Sequence, residues 1–263
     1  MAFVELRDVG KWYAALSGRR SIAVQHFSLT LDRGDFLCLL GPSGCGKTTI
    51  LSMLAGFEAP SEGQILLDGQ AVRAPSRDRG VVFQGDDSLY PWLTAVQNIE
   101  FGLRVGGVPA KERRATALDY LDLVGLNGQA EKFPAELSGG MKQRIQIARA
   151  LANKPKMLLM DEPFGALDAQ TRSIMQRELR RIWDATGTTI VFITHDIDEA
   201  ILLSTRVGVM TAGPGGTLKS VIPIEMTGDR ERADPAYGRY YQQVHSDIRD
   251  EVAKASSYGR KAA

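Results

Sequence analysis

The stretch DFLCLLGPSGCGKTT, residues 35–49, decides the fold. Its first half is a short apolar run that suits a buried strand. Its second half sets glycines around a lysine and two threonines, just before a helix-like segment. Gly41, Gly46, Lys47 and Thr48 fill the spacing G-x-x-x-x-G-K-[ST] in the required strand-then-helix context. The glycines let backbone N–H groups turn inward, and the helix start adds about half a positive charge. Such a loop cradles phosphates. Lys47 reaches toward the β and γ phosphates, and Thr48 offers its hydroxyl to Mg²⁺. The nucleotide contacts expected here are Gly41, Pro42, Ser43, Gly44, Cys45, Gly46, Lys47, Thr48 and Thr49. Cys45 fills a free position of the loop and reads as structural filler.

Outward from this loop the chain reads as α/β. FVELRDV and IAVQHFSLTL alternate like half-buried strands, and QILLDGQAV carries an Asp-Gly turn that predicts a hairpin. The chain turns helical over residues 95–125, where Ala115, Leu118, Leu121 and Val124 recur at three-residue intervals. A further helix opens on Ser138 and runs to residue 153. KMLLMDE and TTIVFITHD read as buried strands, with the amphipathic helix QTRSIMQRELRRIWDAT between them. VGVMTAG and TLKSVIPIEM are two more strand candidates. A last helix places Tyr237, Tyr240, Tyr241, Val244, Ile248 and Val252 at helical spacing. The helical block at about 95–153 interrupts an otherwise alternating chain and predicts an inserted helical subdomain. The expected division is a main domain over residues 1–230 and a helical tail over 231–263.

Three strand ends carry chemistry. MLLMDE ends on two carboxylates: Asp161 is placed to hold Mg²⁺ directly or through water, and Glu162 to take a proton from attacking water. His195 ends another strand, and ligands of open α/β sheets gather at such carboxyl ends. A polarising contact to the γ phosphate is the role expected of it. Gln84 ends GVVFQ and is a candidate to sense either Mg²⁺ or the attacking water.

Composition bounds the rest. The 263 residues are 44% hydrophobic and 24% charged, an ordinary globular balance. The net charge of +1 argues against a dedicated nucleic-acid or anionic-membrane surface. Cys38 and Cys45 lack metal-ligand spacing and favour a reducing compartment. The start does not resemble a signal peptide, and no apolar window is long enough to span a bilayer.

GPSGCGKT, VVFQ, LSGGMKQR, MLLMDE, GALD and ITHD stand in the order and approximate spacing of the nucleotide-binding subunits of ABC transporters, and the resemblance runs from about Phe3 to Met226. It implies an α/β phosphate-loop ATPase core with an antiparallel β subdomain and a helical subdomain. It implies Mg-dependent ATP hydrolysis on the cytoplasmic face of the inner membrane, by a peripheral subunit. The family's adenine-stacking aromatic falls at Tyr13, with Trp12 beside it as the alternative. The implied partners are a second copy of the chain, integral-membrane permease subunits and, indirectly, a substrate-binding receptor, with no nucleic acid. Two chains of this family close head to tail. Ser138, Gly139 and Gly140 of the LSGG segment then serve the neighbour's nucleotide, and Asp168 of GALD faces the partner. The segment with Leu89, Tyr90, Pro91, Trp92 and Leu93 resembles the surface on which the permease docks. Its wording is similar to the ATPases of nitrate, sulfonate and taurine importers. ATPases of exporters or lipid-handling complexes share the same motifs, as do soluble ABC-type ATPases. Repair proteins of this kind insert long coiled coils, however, and translation factors carry two cassettes; neither feature is present. An ATP switch without turnover is the other rival, and Glu162 argues against it. Met141 stands where the family's commonest form has glutamine.

Overall fold

The computed structural model describes residues 2–14, 20–83, 88–165, 167–226, 228 and 230–262, with side chains as far as residue 255. In chain order the first elements are β1 (Val4–Ala14), β2 (Arg20–Leu31), β3 (Phe36–Leu40), α1 (Lys47–Ala55), β4 (Glu62–Leu67), β5 (Gln70–Ala71) and β6 (Arg79–Val82). Then come α2 (Ala95–Val105), α3 (Ala110–Leu123), a short 3₁₀ turn (Pro134–Glu136), α4 (Gly139–Ala152), β7 (Met157–Asp161) and α5 (Ala169–Thr186). The chain ends with β8 (Thr189–Ile193), α6 (Ile197–Leu203), β9 (Arg206–Met210), β10 (Leu218–Pro223) and α7 (Pro235–Ala262). These elements form two compact units: Met1–Ser76 with Thr189–Ala263, and Arg77–Thr188.

The first unit holds an antiparallel sheet in the order β2-β1-β4-β5. Leu67 pairs with Gln70 across the Asp68-Gly69 turn, the hairpin that the sequence predicts. Beside it, β3 is flanked by β8 and β9 in parallel, and β10 closes antiparallel on β9. All five residues of β3 and of β8 are buried, because parallel strands are covered on both faces. That explains why FLCLL and TIVFI are unbroken apolar runs rather than alternating ones. Phe36 and Phe192 meet across this pair at 6.1 Å.

The C-terminal helix α7 packs on α6, β9 and β10. Its buried face is Tyr237, Val244, Ile248 and Glu251. The expected stripe included Tyr241 and Val252, and both are exposed. Glu251 takes the inward position because Lys219, Lys254 and the Ala212 N–H satisfy its carboxylate there.

In the second unit β6 and β7 pair in parallel, and α2, α3, α4 and α5 pack in succession through α4. Thr94 and Gln97 form a reciprocal capping box that starts α2. Half of the stripe expected on α3 is corrected: Leu121 and Val124 are buried as expected, but Ala115 and Leu118 are exposed and Ala117 is buried in their place. A three-residue interval drifts around a helix of 3.6 residues per turn, so the i, i+4, i+7 set wins.

Candidate functional site

The phosphate loop follows β3 and opens α1. Gly46 caps this helix with φ of 100° and supplies no side-chain hydrogen bond. The first N–H groups of the helix have no intrahelical acceptor, so they are left to a ligand or water. No acidic residue occupies the first turn. A side chain at Gly46 would be strained by that φ, and its Cβ would lie 2.7 Å from the Ala23 carbonyl oxygen. Lys47 is buried, and its ammonium donates to the carbonyls of Gly41 at 2.7 Å and Pro42 at 3.0 Å. A charge held by neutral carbonyl dipoles is ready to exchange them for anionic oxygens. Cys45 is buried against the same ammonium at 3.9 Å. Burial raises its thiol pKa, and Lys47 offsets only part of that rise.

His195 follows β8, whose end lies beside that of β3. Thr194 N–H donates to the Leu39 carbonyl at 3.3 Å, which brings the His195 backbone to the edge that carries the phosphate loop. The segment is held firmly. Thr194 donates its hydroxyl to buried Glu199 at 2.6 Å and accepts from Asp196 N–H at 3.0 Å. Asp196 caps α6 through the N–H groups of Asp198 and Glu199. The His195 side chain is exposed.

At the end of β1, Trp12 and Tyr13 separate. The Arg20 guanidinium covers the Trp12 ring at 4.7 Å. The Tyr13 ring is 40% exposed, and its hydroxyl donates to Glu58 at 2.7 Å. Of the two rings, Tyr13 is the more open.

In the second unit β7 delivers Asp161 and Glu162, both partly exposed, at its carboxyl end. Glu162 has φ of 43°, a left-handed conformation that costs a non-glycine residue energy and is common at functional strand ends. Asp168 caps α5 by accepting from the N–H groups of Gln170 and Thr171, both at 3.0 Å. The Thr171 hydroxyl and these N–H groups hold its carboxyl below the usual range. Ser138 caps α4, accepting from the Met141 N–H at 3.3 Å. Its own hydroxyl hydrogen can still be donated. A Cβ on Gly140 would meet the Thr171 methyl at 2.7 Å, so this glycine lets α4 and α5 approach. That packing demand was not visible in LSGG. Beside it lies a cavity of about 240 Å³, lined by Ser138, Met141, Arg144, Thr171 and Met175 among others. Gln84 lies outside the described residues.

The segment before α2 is a rigid display. Buried Asn98 accepts from the Tyr90 N–H at 2.8 Å and donates to the carbonyls of Tyr90, Leu93 and Thr94. Tyr90 packs on Phe101 at 4.5 Å, with the Arg149 guanidinium over its ring. Leu89 is buried, while Trp92 is 70% exposed at the tip.

Among the described residues no group of three or more His, Cys, Asp and Glu forms a metal cage, and no helix is long and apolar enough to cross a membrane. Thr48 of the first unit offers a hydroxyl oxygen and Asp161 of the second a carboxylate. Each is an oxygen donor of the kind that suits Mg²⁺, a hard cation held by few protein oxygens with phosphates and water completing its shell.

Residues 24–165 match the ABC transporter family. The chain is 47% identical over 242 residues to the taurine import ATP-binding protein TauB of Rhizobium johnstonii, covering 89% of this chain and 92% of that protein. It is 43% identical over 255 residues to the nitrate import ATP-binding protein NrtD of Synechocystis, covering 94% and 95%. It is also 43% identical over 248 residues to the bicarbonate transport ATP-binding protein CmpC of Synechococcus elongatus; this covers 94% of the chain but only 37% of that longer protein. Among solved structures, the dimeric post-hydrolysis state of the ATP-binding cassette MJ0796, bound to ADP and Pi, superposes with a TM-score of 0.72 at 32% identity. That match covers 85% of this chain and all of the other.

Proposed function

The chain belongs to the ABC transporter family as an ATP-hydrolysing importer subunit, and on that premise we propose that it powers uptake of nitrate, taurine or another sulfonate. The observation that carries the mechanism is a pair of helix starts open to phosphate. One, at α1, carries the phosphate loop and Lys47; the other, at α4, carries the Ser138 hydroxyl. One nucleotide per chain needs only the first. The second serves the nucleotide of another copy, so that two chains close head to tail around two ATP molecules. MJ0796 was solved as a dimer, which supports this reading.

In this reading the N–H groups of residues 44–49 and the Lys47 ammonium hold the β and γ phosphates. Tyr13 stacks on the adenine. Mg²⁺, held by Thr48, Asp161 and Gln84, supplies charge neutralisation at the phosphates when bound. Glu162 accepts the proton of the water that attacks the γ phosphorus, ADP leaves, and His195 donates a hydrogen bond to the transferred group. Ser138, Gly139 and Gly140 cover that group from the partner, and Asp168 sits at the junction. The helical insert at about 95–153 belongs to the ATPase domain, residues 1–230, and the segment just before it presents Trp92 to the permease. The subunit works at the cytoplasmic face, while a receptor and the permease select the substrate. Reconstitution with the native permease and receptor tests the assignment. ATP-dependent uptake of nitrate, taurine or another sulfonate is expected from a panel of small oxyanions, sulfonates and bicarbonate. Uptake of none of the first three would overturn it.

A further inference from the structure

We propose that Glu58 is a positioning residue that fixes the Tyr13 ring relative to the phosphate loop and thereby sets the affinity for the nucleoside part of ATP. The inference rests on the reading of Tyr13 as the adenine platform.

The helix that starts with the phosphate loop also determines where Glu58 lies. α1 ends at Ala55, and Gly56 turns the chain in the left-handed region at φ of 83°. Its hypothetical Cβ would lie 2.4 Å from the Ala74 carbonyl oxygen, so no other residue fits this turn. The chain folds back, and the N–H groups of Phe57 and Glu58 both donate to the Ser52 carbonyl, at 3.0 and 3.4 Å. Glu58 therefore folds back against the C-terminal turn of α1 instead of leading away from it.

From there its carboxylate collects two donors from β1. The Tyr13 hydroxyl donates at 2.7 Å, and the Lys11 ammonium pairs at 3.1 Å. Lys11 and Tyr13 are two residues apart on one strand and so share a face. The Lys11 ammonium lies 5.2 Å from the Tyr13 ring centroid and donates to the Ala59 carbonyl at 2.9 Å. Ser61 N–H donates to the Gly10 carbonyl at 2.8 Å, and the Ser61 hydroxyl accepts from Trp12 N–H at 3.3 Å. Residues 58–61 thus clasp the end of β1 at several points. Thr49, in the first turn of α1, also approaches the Tyr13 hydroxyl. The ring is held at its hydroxyl, with the Lys11 ammonium over one face, and the residue stays 40% exposed.

An exposed tyrosine otherwise rotates freely about its side-chain torsions, and a platform that must first be ordered binds more weakly. Glu58 removes that cost in advance. Among the described residues its carboxylate bonds Tyr13 and Lys11 of β1 and not the phosphate loop, so its effect is expected on ligands that carry a base.

The test compares dissociation constants for ATP and for inorganic tripolyphosphate, which has no base, on the full chain. Tyr13→Ala is expected to weaken ATP roughly fivefold or more, the scale of one lost base–aromatic stack. Glu58→Ala and Tyr13→Phe should each weaken ATP about threefold or more. The double variant Tyr13→Phe/Glu58→Ala should be no worse than either single one, because both remove the same contact. Glu58→Gln, which can still accept from the hydroxyl, should recover most of the ATP affinity. Tripolyphosphate binding should stay within about twofold of wild type throughout, which also reports an intact phosphate loop. Equal weakening of ATP and tripolyphosphate by Glu58→Ala would overturn the proposal, and so would additive losses in the double variant. If Tyr13→Ala weakens ATP and Glu58→Ala does not, Glu58 alone loses its role. If Tyr13→Ala leaves ATP unaffected, the adenine platform itself is wrong.

Discussion

Replacing Glu251 by Gln removes a buried charge that braces the C-terminal helix against the phosphate loop from behind. The carboxylate is 1% exposed. It accepts from the Lys254 ammonium at 2.8 Å, the Ala212 N–H at 2.9 Å and the Lys219 ammonium at 3.2 Å. Ala212 opens the turn to Gly216, where a Cβ would lie 2.1 Å from the Cys45 carbonyl oxygen. α7 therefore fixes a turn that backs directly onto the loop. Burial alone would raise the Glu251 pKa, but its three donors outweigh burial and bring it from 4.5 to about 2. That difference is worth roughly 3 kcal/mol at neutral pH. Because the folded value is the lower one, the contribution is complete above the unfolded value of 4.5 and fades as pH falls toward 2. Thermal unfolding of Glu251→Gln at pH 7 should show a loss of roughly 3 kcal/mol, about 9 °C in Tm for a chain of this size. At pH 3.5 the gap to wild type should shrink to roughly 2 kcal/mol. A loss below about 1 kcal/mol, or a gap that does not close on acidification, would refute the reasoning.

Three further outcomes follow from the site. Glu162→Gln should retain ATP binding and lose roughly 10² to 10⁴ in steady-state phosphate release; near-normal turnover removes Glu162 as the base. Met141→Gln should change turnover by less than about tenfold, because the backbone N–H of residue 141 bonds Ser138 while the side chain lines a cavity. A larger change in either direction gives that side chain a part in closure. Trp92→Ala should leave Tm and basal ATPase near wild type and abolish co-purification with the permease. Equal loss of both activities would make Trp92 a packing residue.

Much of this architecture was legible in the sequence, for reasons that differ by element. β3 and β8 announce themselves because a strand buried on both faces must be continuously apolar. The phosphate loop announces itself because glycine, lysine and hydroxyl are each required by geometry at fixed spacing. The buried face of α7 was misplaced because a charged residue is normally read as outward. Only the structure reveals that Lys219, Lys254 and Ala212 converge on Glu251. The face of α3 was misread because a strict three-residue interval suits a 3₁₀ helix better than an α-helix. Glu58 was missed altogether. It lies 45 residues from Tyr13, and only the fold-back after Gly56 brings the two together. The packing role of Gly140 was hidden for the same reason, since Thr171 belongs to another helix.

Mixing two inactive variants tests most directly whether LSGG serves the neighbour's nucleotide. Lys47→Ala disables the phosphate loop and Ser138→Arg blocks the clamp. If each ATP is held by the loop of one chain and the clamp of the other, a mixed dimer gathers both lesions in one site and leaves the second intact. ATPase activity should then return on mixing, to roughly a quarter of wild type at equal amounts if the chains pair at random and the sites act independently. Were Ser138 to act on the nucleotide of its own chain, every site in the mixed dimer would carry one lesion. A mixture that stays inactive at every ratio, with dimers present, would contradict the account.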